Sequence, residues 1–277
     1  MPQSLSDIKA LLARRGLRPK HRLGQNFLHD LGYMQRIVEA AELHEGELVL
    51  EVGAGTGGLS EALLEAGARL VAVEFDRDLE PILRDRLAPF GERARLIVGD
   101  VLASKHAINP DVVAALGGEA FKLIANLPYN IASPLLVNLA LDHPGMGRGL
   151  VMVQREVADR LVAQPGSKTF GPLSVVVQAM CQVRRTMSLP PGCFWPSPKV
   201  HSAVVELVRR ERALTDDPHG LARLAQRLFQ KRRKQLRGIL GEVALPAGVA
   251  PTARPESLTV EQMVELARVV PAAGQGG

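Results

Sequence analysis

From Glu47 onward, short runs of Val, Ile and Leu alternate with longer stretches in which apolar residues recur every three or four positions. The runs at 47–52, 69–74, 94–98, 121–125 and 149–153 are almost unbroken in apolarity and too short for helices, which predicts strands covered on both faces. Helical periodicity at 57–66, 77–88 and 133–141 separates most of them. That rhythm predicts an α/β fold with a doubly wound, mostly parallel sheet. Upstream, Ser6 ahead of Ile8, Leu11 and Leu12, with Gly16 and Pro19 behind, predicts a short capped helix; Asp30 caps a second carrying Leu31, Met34, Ile37 and Val38. After Gly171 come a helical stretch to about Cys181, an apolar-basic segment, a Pro-rich loop and an alternating strand at 200–208, read as an antiparallel edge. Beyond Arg212 the strand pattern stops. Asp217-Pro218 opens one helix, 231–240 reads as another, and Thr259 with Gln262 boxes the start of a third. The chain therefore divides into an N-terminal segment 1–29, an α/β unit 30–212 and a helical unit 213–277, with a frayed tail from Ala272.

Composition adjusts this picture in three places. Hydrophobic residues at 46% against 23% charged exclude wholesale disorder, and 277 residues suffice for a large α/β unit plus a smaller one. No apolar run approaches the ~20 residues of a membrane helix, and the polar N-terminus lacks the apolar stretch of a secretory signal, so a cytoplasmic location is expected. The two cysteines, Cys181 and Cys193, have no metal-ligand spacing; neither a zinc site nor any other metal is expected, and both read as small buried hydrophobes. Net charge is +5 but uneven: residues 1–29 hold six Lys/Arg and one Asp, 30–183 hold 13 basic and 20 acidic residues, and 184–277 hold 15 and eight. Two basic flanks around an acidic middle fit a polyanion gripped from both sides.

Candidate chemistry begins at Glu51-Val-Gly-Ala-Gly-Thr-Gly-Gly58, between a strand and a helix, where glycines let backbone approach a ligand closely. Gly53, Gly55 and Gly58 match the G-x-G-x-x-G spacing, so this segment alone leaves a dinucleotide cofactor open. Glu74, 21 residues past Gly53, ends the second strand and can accept hydrogen bonds from ribose hydroxyls. Asp100 and Asn126 close the next two strands. Polar groups at consecutive strand ends converge on the crevice where open α/β sheets bind ligands. Asn126-Leu127-Pro128-Tyr129 is the most specific of these signals. An adenine amine is a poor nucleophile because its lone pair is delocalised; the Asn126 side-chain carbonyl and a neighbouring backbone carbonyl can accept its two N–H groups and favour a pyramidal nitrogen. Pro128 stiffens the loop, and Tyr129 offers a flat face to an extruded base.

With Gln25-Asn26-Phe27-Leu28 and Phe194-Trp-Pro-Ser-Pro-Lys-Val200, these segments resemble the ribosomal RNA adenine N6-dimethyltransferases, from about Arg22 to Val208 and nearest the small-subunit (16S) branch. The resemblance implies a class I, Rossmann-like methyltransferase domain with a small C-terminal all-helical domain, and S-adenosylmethionine as methyl donor. It implies that Asn26 and Leu28 close over the cofactor from the N-terminal arm, with Gly53 and Gly55 beneath it, Glu74 on the ribose and Asp100 on the adenine amine. Asn126 then borders cofactor and target, Tyr129 stacks on the target base and Phe194 covers its other face. The implied substrate is two adjacent adenosines in a 3′-terminal hairpin loop of 16S rRNA, within a small ribosomal subunit precursor, and the protein is expected to act as a monomer. Ala54 stands where family members often carry Pro, and Trp195 is unusual in its loop. The alternatives are a large-subunit rRNA adenine methylase and a non-catalytic assembly factor of the same fold. Arg223, Arg227, Lys231, Arg232, Arg233, Lys234 and Arg237 form a run free of acids; at helical spacing 223, 227, 231 and 234 fall on one stripe. Alone it reads equally as a solvated face; beside the methylase motifs it reads as a contact for rRNA phosphates.

Overall fold

A computed structural model describes residues 3–270, so the tail from Ala272 lies outside the described residues. The chain opens with α1 (Leu5–Arg14), β1 (Phe27–Leu28) and α2 (Leu31–Ala40), then winds through β2 (Leu48–Val52), α3 (Gly58–Glu65), β3 (Arg69–Glu74), α4 (Glu80–Leu87) and β4 (Ala94–Val98). A hairpin of β5 (Leu102–Ser104) and β6 (Ala107–Ile108) and helix α5 (Pro110–Leu116) lead to β7 (Phe121–Asn126), α6 (Ala132–Asp142), β8 (Met146–Gln154) and α7 (Arg155–Leu161). The remainder is α8 (Pro172–Met180), β9 (Cys181–Leu189), β10 (Phe194–Trp195), β11 (Ser202–Arg209), α9 (Pro218–Phe229), α10 (Arg237–Leu240) and α11 (Val260–Val269).

Seven strands form one sheet in the order β4-β3-β2-β7-β8-β11-β9. The first five run parallel, as their doubly covered apolar runs require, and β11 lies antiparallel to both neighbours. One face is covered by α5, α6, α7 and α8 through residues such as Val112, Leu136, Leu161 and Val177. The other is covered by α2, α3 and α4 through Ile37, Leu63 and Leu83. Because β3 and β4 extend one way from β2 while β7 and β8 extend the other, the strand order reverses between β2 and β7, and a crevice opens at the carboxyl ends there.

Three local expectations change. The first helix is capped by Ser4, whose side chain and Asp7 form a reciprocal capping box, rather than by Ser6. The strand read as an edge is internal: β11 is buried from Ser202 to Leu207, because Ala203, Val205 and Leu207 pack on one face while Val204 packs on the other. The edge is instead β9, whose arginines suit a strand with one open side. Finally, α9 stops at Phe229 and only the single turn Arg237–Leu240 of the expected 231–240 helix forms. The Asp217 cap and the Thr259–Gln262 capping box form as the sequence indicates.

The C-terminal helices bury Leu221, Leu224, Leu228, Met263 and Val264 against Phe170, Val175 and Ala179 at and before α8. At the other end, α1 sets Ile8 and Leu12 against Phe27 and against Leu79 and Ile82 before and within α4. Among the described residues no helix is long and apolar enough to cross a membrane.

Candidate active site

The turn after β2 puts Gly53, Gly55 and Gly57 in the left-handed region, at φ values of 78°, 61° and 81°. Two of these glycines are needed for space as well. A Cβ on Gly53 would stand 3.1 Å from Cδ of Pro128, and one on Gly55 would stand 3.1 Å from the Phe27 ring. The loop is thus enclosed by the Asn126–Tyr129 segment on one side and by the N-terminal arm on the other.

Above it lies a cavity of about 150 Å³. Its wall contains Asn26, Leu28, Gly53, Gly55, Glu74, Asp100, Asn126, Leu127, Pro128 and Tyr129, so four strand ends and the arm meet there. Phe194 is not in that wall: it is 2% exposed and sits behind the arm, where β10 pairs with β1 and Leu28 faces Phe194. The basic residues 223–237 belong to the C-terminal helical region and do not line the cavity. Nor do they form one stripe. Only Arg223 and Arg227 lie on α9, and Arg232 is engaged by Glu256 at 2.6 Å and by the Lys168 carbonyl at 3.1 Å.

Asn126 Nδ2 donates to the Asn26 carbonyl at 2.9 Å. That bond orients the amide and leaves Oδ1 without a hydrogen bond among the described residues. Glu74 is almost fully buried; Oε2 accepts from the Gly55 amide at 2.8 Å and Oε1 from the Asp76 amide at 2.8 Å. Burial pushes its carboxyl above the usual range, against the pull of those two amides. Asp100 is exposed and accepts from the Leu102 amide at 2.9 Å.

Several residues that the sequence left without a role complete the site. Glu51, the first residue of the Gly motif, is 1% exposed, accepts from Ser60 Oγ, and is pushed by burial to about 8. Asp76 holds the arm: it accepts from Lys20 Nζ at 2.5 Å and from Gln25 Nε2 at 2.7 Å, while Gln25 accepts from the Lys20 amide at 2.7 Å. Burial alone would raise Asp76, but the Lys20 and Gln25 bonds outweigh it and hold the carboxyl below its ordinary range. The Tyr129 hydroxyl meets Ser202 Oγ at 3.2 Å, and burial raises the phenol. Gln25 was visible inside its motif, whereas Ser202 and Asp76 depend on strands and turns distant in sequence.

Comparison with known proteins identifies the family to which this chain is similar. A family model described as ribosomal RNA adenine dimethylase matches residues 16–270. Ribosomal RNA small subunit methyltransferase A of Xanthomonas campestris pv. campestris (strain 8004) is 44% identical over 258 residues, covering 90% of this chain and 95% of that protein. The protein of the same name from Cutibacterium acnes is 38% identical, covering 98% and 94%. A dimethyladenosine transferase from Plasmodium falciparum shares the fold, with a TM-score of 0.71 at 24% identity over 87% of this chain and 95% of that one.

Proposed function

The chain belongs to the ribosomal RNA adenine dimethylase family, and from that premise we propose that it transfers methyl groups from S-adenosylmethionine to N6 of two adjacent adenosines in the 3′-terminal hairpin loop of 16S rRNA. The observation that carries the reading is Asn126, whose amide nitrogen is tied to the arm while its oxygen meets no competing donor among the described residues. That oxygen and the adjacent Leu127 carbonyl are the acceptors for the adenine amine. Pro128 fixes the turn, Tyr129 provides the stacking face, and Phe194 backs the pocket from behind the arm.

The residues present suit the cofactor. Gly53 and Gly55 form a cradle that a Cβ would fill, Glu74 is a buried acceptor for ribose hydroxyls, and exposed Asp100 accepts from the adenine amine. Asn26 and Leu28 cover it from the arm. S-adenosylmethionine supplies a methyl group already activated on a sulfonium. The chain's contribution is then alignment, which in well-oriented reactions reaches about 7 to 11 kcal/mol. The partner is 16S rRNA in a small-subunit precursor, met by a monomer in the cytoplasm, with the basic run from Arg223 to Arg237, Arg232 apart, on rRNA phosphates. The small-subunit relatives, matched over nine-tenths of the chain, favour this substrate over large-subunit rRNA.

The test is methylation of small subunits from cells lacking this protein, read as dimethyladenosine by mass spectrometry. Wild-type protein should add four methyl groups to two loop adenosines, and Asn126→Ala should abolish measurable single-turnover transfer with melting unchanged. Methyl groups on large-subunit rRNA instead, or an undiminished rate in Asn126→Ala, would overturn the assignment.

A further inference from the structure

Beside the cofactor cavity lies a second, open depression that shares Leu23, Phe75, Gly99 and Asp100 with it, so the two open on a common rim. Its remaining wall is Lys20, Arg22 and the 76–78 segment. The charges there are not equivalent. Lys20 is engaged by Asp76 at 2.5 Å and Asp78 at 2.6 Å, one positive charge shared between two carboxylates, and Asp100 adds a third carboxylate to the wall. Arg22 and Arg77 are exposed, and neither makes a hydrogen bond or ion pair among the described residues. Phe75, in the same wall, is 56% exposed.

The two arginines are presented rather than dangling from loose ends. Arg22 lies in the single 3-10 turn His21–Leu23, bracketed by Lys20 and Gln25, both of which are fastened to Asp76. Arg77 follows Asp76 directly and begins the 3-10 turn Arg77–Leu79. One buried carboxylate thus holds the backbone on both sides of the depression.

The cofactor proposed above does not answer these cations. Its carboxylate belongs to the methionine part, by the Gly loop, and its nucleoside end, by Glu74 and Asp100, carries no anionic group. We propose that Arg22 and Arg77 form a subsite for backbone phosphates of the RNA strand, placed at the nucleoside end of the cofactor cavity. This rests on the rRNA reading, and it adds a contact distinct from the C-terminal basic run, none of whose residues lines this depression. RNA seated there covers the cofactor's rim while its target base occupies the Asn126–Tyr129 end.

The experiment measures binding of the full-length protein to a hairpin RNA with two adjacent loop adenosines across a salt series. Calorimetry with S-adenosylhomocysteine runs in parallel. Arg22→Ala and Arg77→Ala should each flatten the slope of log affinity against log salt by about 0.7, and the double variant by about 1.4. Cofactor affinity should stay within twofold of wild type. Arg22→Lys with Arg77→Lys should keep the wild-type slope, and Arg95→Ala, an exposed cation outside both depressions, should leave it unchanged. An unchanged slope in the double Ala variant overturns the proposal, as does a tenfold loss of cofactor affinity without a change in slope. Wild-type protein that binds this RNA with the expected slopes yet transfers no methyl group to small subunits would overturn the enzymatic reading and leave the subsite standing.

Discussion

Glu51 and Glu74 line one cavity and burial pushes both upward, but two backbone amides oppose that push at Glu74 and a single hydroxyl opposes it at Glu51. Glu74 accepts from two backbone amides, which suits a carboxylate, and ribose hydroxyls would add charge-assisted bonds. Glu74→Ala should therefore weaken S-adenosylmethionine binding by about 1.5 to 3 kcal/mol in calorimetry. In wild type, affinity should decline on acidification at a pH above the ordinary carboxylate range, because the protonated group loses acceptor strength. Wild-type affinity in the Ala variant would remove Glu74 from the cofactor site. Glu51, at about 8, keeps its proton at neutral pH in the folded state and loses it in the unfolded chain. Folding thus binds a proton between the ordinary carboxylate range and about pH 8, so stability is full at low pH and falls as pH rises through that window. The melting temperature should drop from pH 5 to 8, and Glu51→Gln should flatten the drop; identical pH profiles would mean that Glu51 is ionised. Much of this site is legible in sequence because each strand-end residue follows its own strand. Ser202 is not, since its meeting with Tyr129 is created by pairing between segments 73 positions apart.

At the scale of elements, β11 joins its neighbours through a charge as well as through its backbone. Buried Glu206 accepts from Arg148 of β8 at 2.8 Å and pairs with Arg184 of β9, while Arg148 also reaches Glu42 beyond α2 at 2.7 Å. Burial works against the carboxylate, but the two arginines outweigh it and keep Glu206 below its usual range. Glu206→Ala should cost about 1 to 3 kcal/mol in denaturant unfolding, less than a fully buried pair, because Arg184 is largely exposed and regains water. A variant as stable as wild type would reduce the cluster to surface electrostatics. The same strand explains where pattern reading fell short. Parallel core strands announce themselves by unbroken apolarity, whereas the segment 200–208 interleaves His201, Ser202 and Glu206 with Val and Leu and so resembles a strand with one wet face. Its second cover comes from elsewhere in the chain. Likewise α9 ends near Phe229 although the basic run continues at helical spacing, for Arg232 is drawn to Glu256 and the Lys168 carbonyl instead.

Across the whole molecule, that arrangement sharpens what the C-terminal basic residues can do. Arg232 holds the helical region together, which leaves Lys231, Arg233 and Lys234, all exposed, as charges beside it without an ion pair among the described residues. Arg233→Ala with Lys234→Ala should flatten the salt dependence of RNA binding by about 1.4 to 1.8 and leave cofactor affinity intact. Adding Arg232→Ala should lower the melting temperature with little further change in slope; an unchanged slope in the double variant would return this surface to a solvated role. The strand order carries a consequence of another kind. In the seven-stranded sheet β9 pairs only with β11, yet it precedes β11 in the chain by a loop and a two-residue strand. As the polypeptide emerges during synthesis, β8 has an open flank and β9 has no partner until residues 202–209 follow, so the sheet closes last from its far side. A released chain truncated at Val200 should expose the open flank of β8 and an unpaired β9 and be captured by chaperones or aggregate, whereas one truncated near Arg212 has every strand of the sheet in hand.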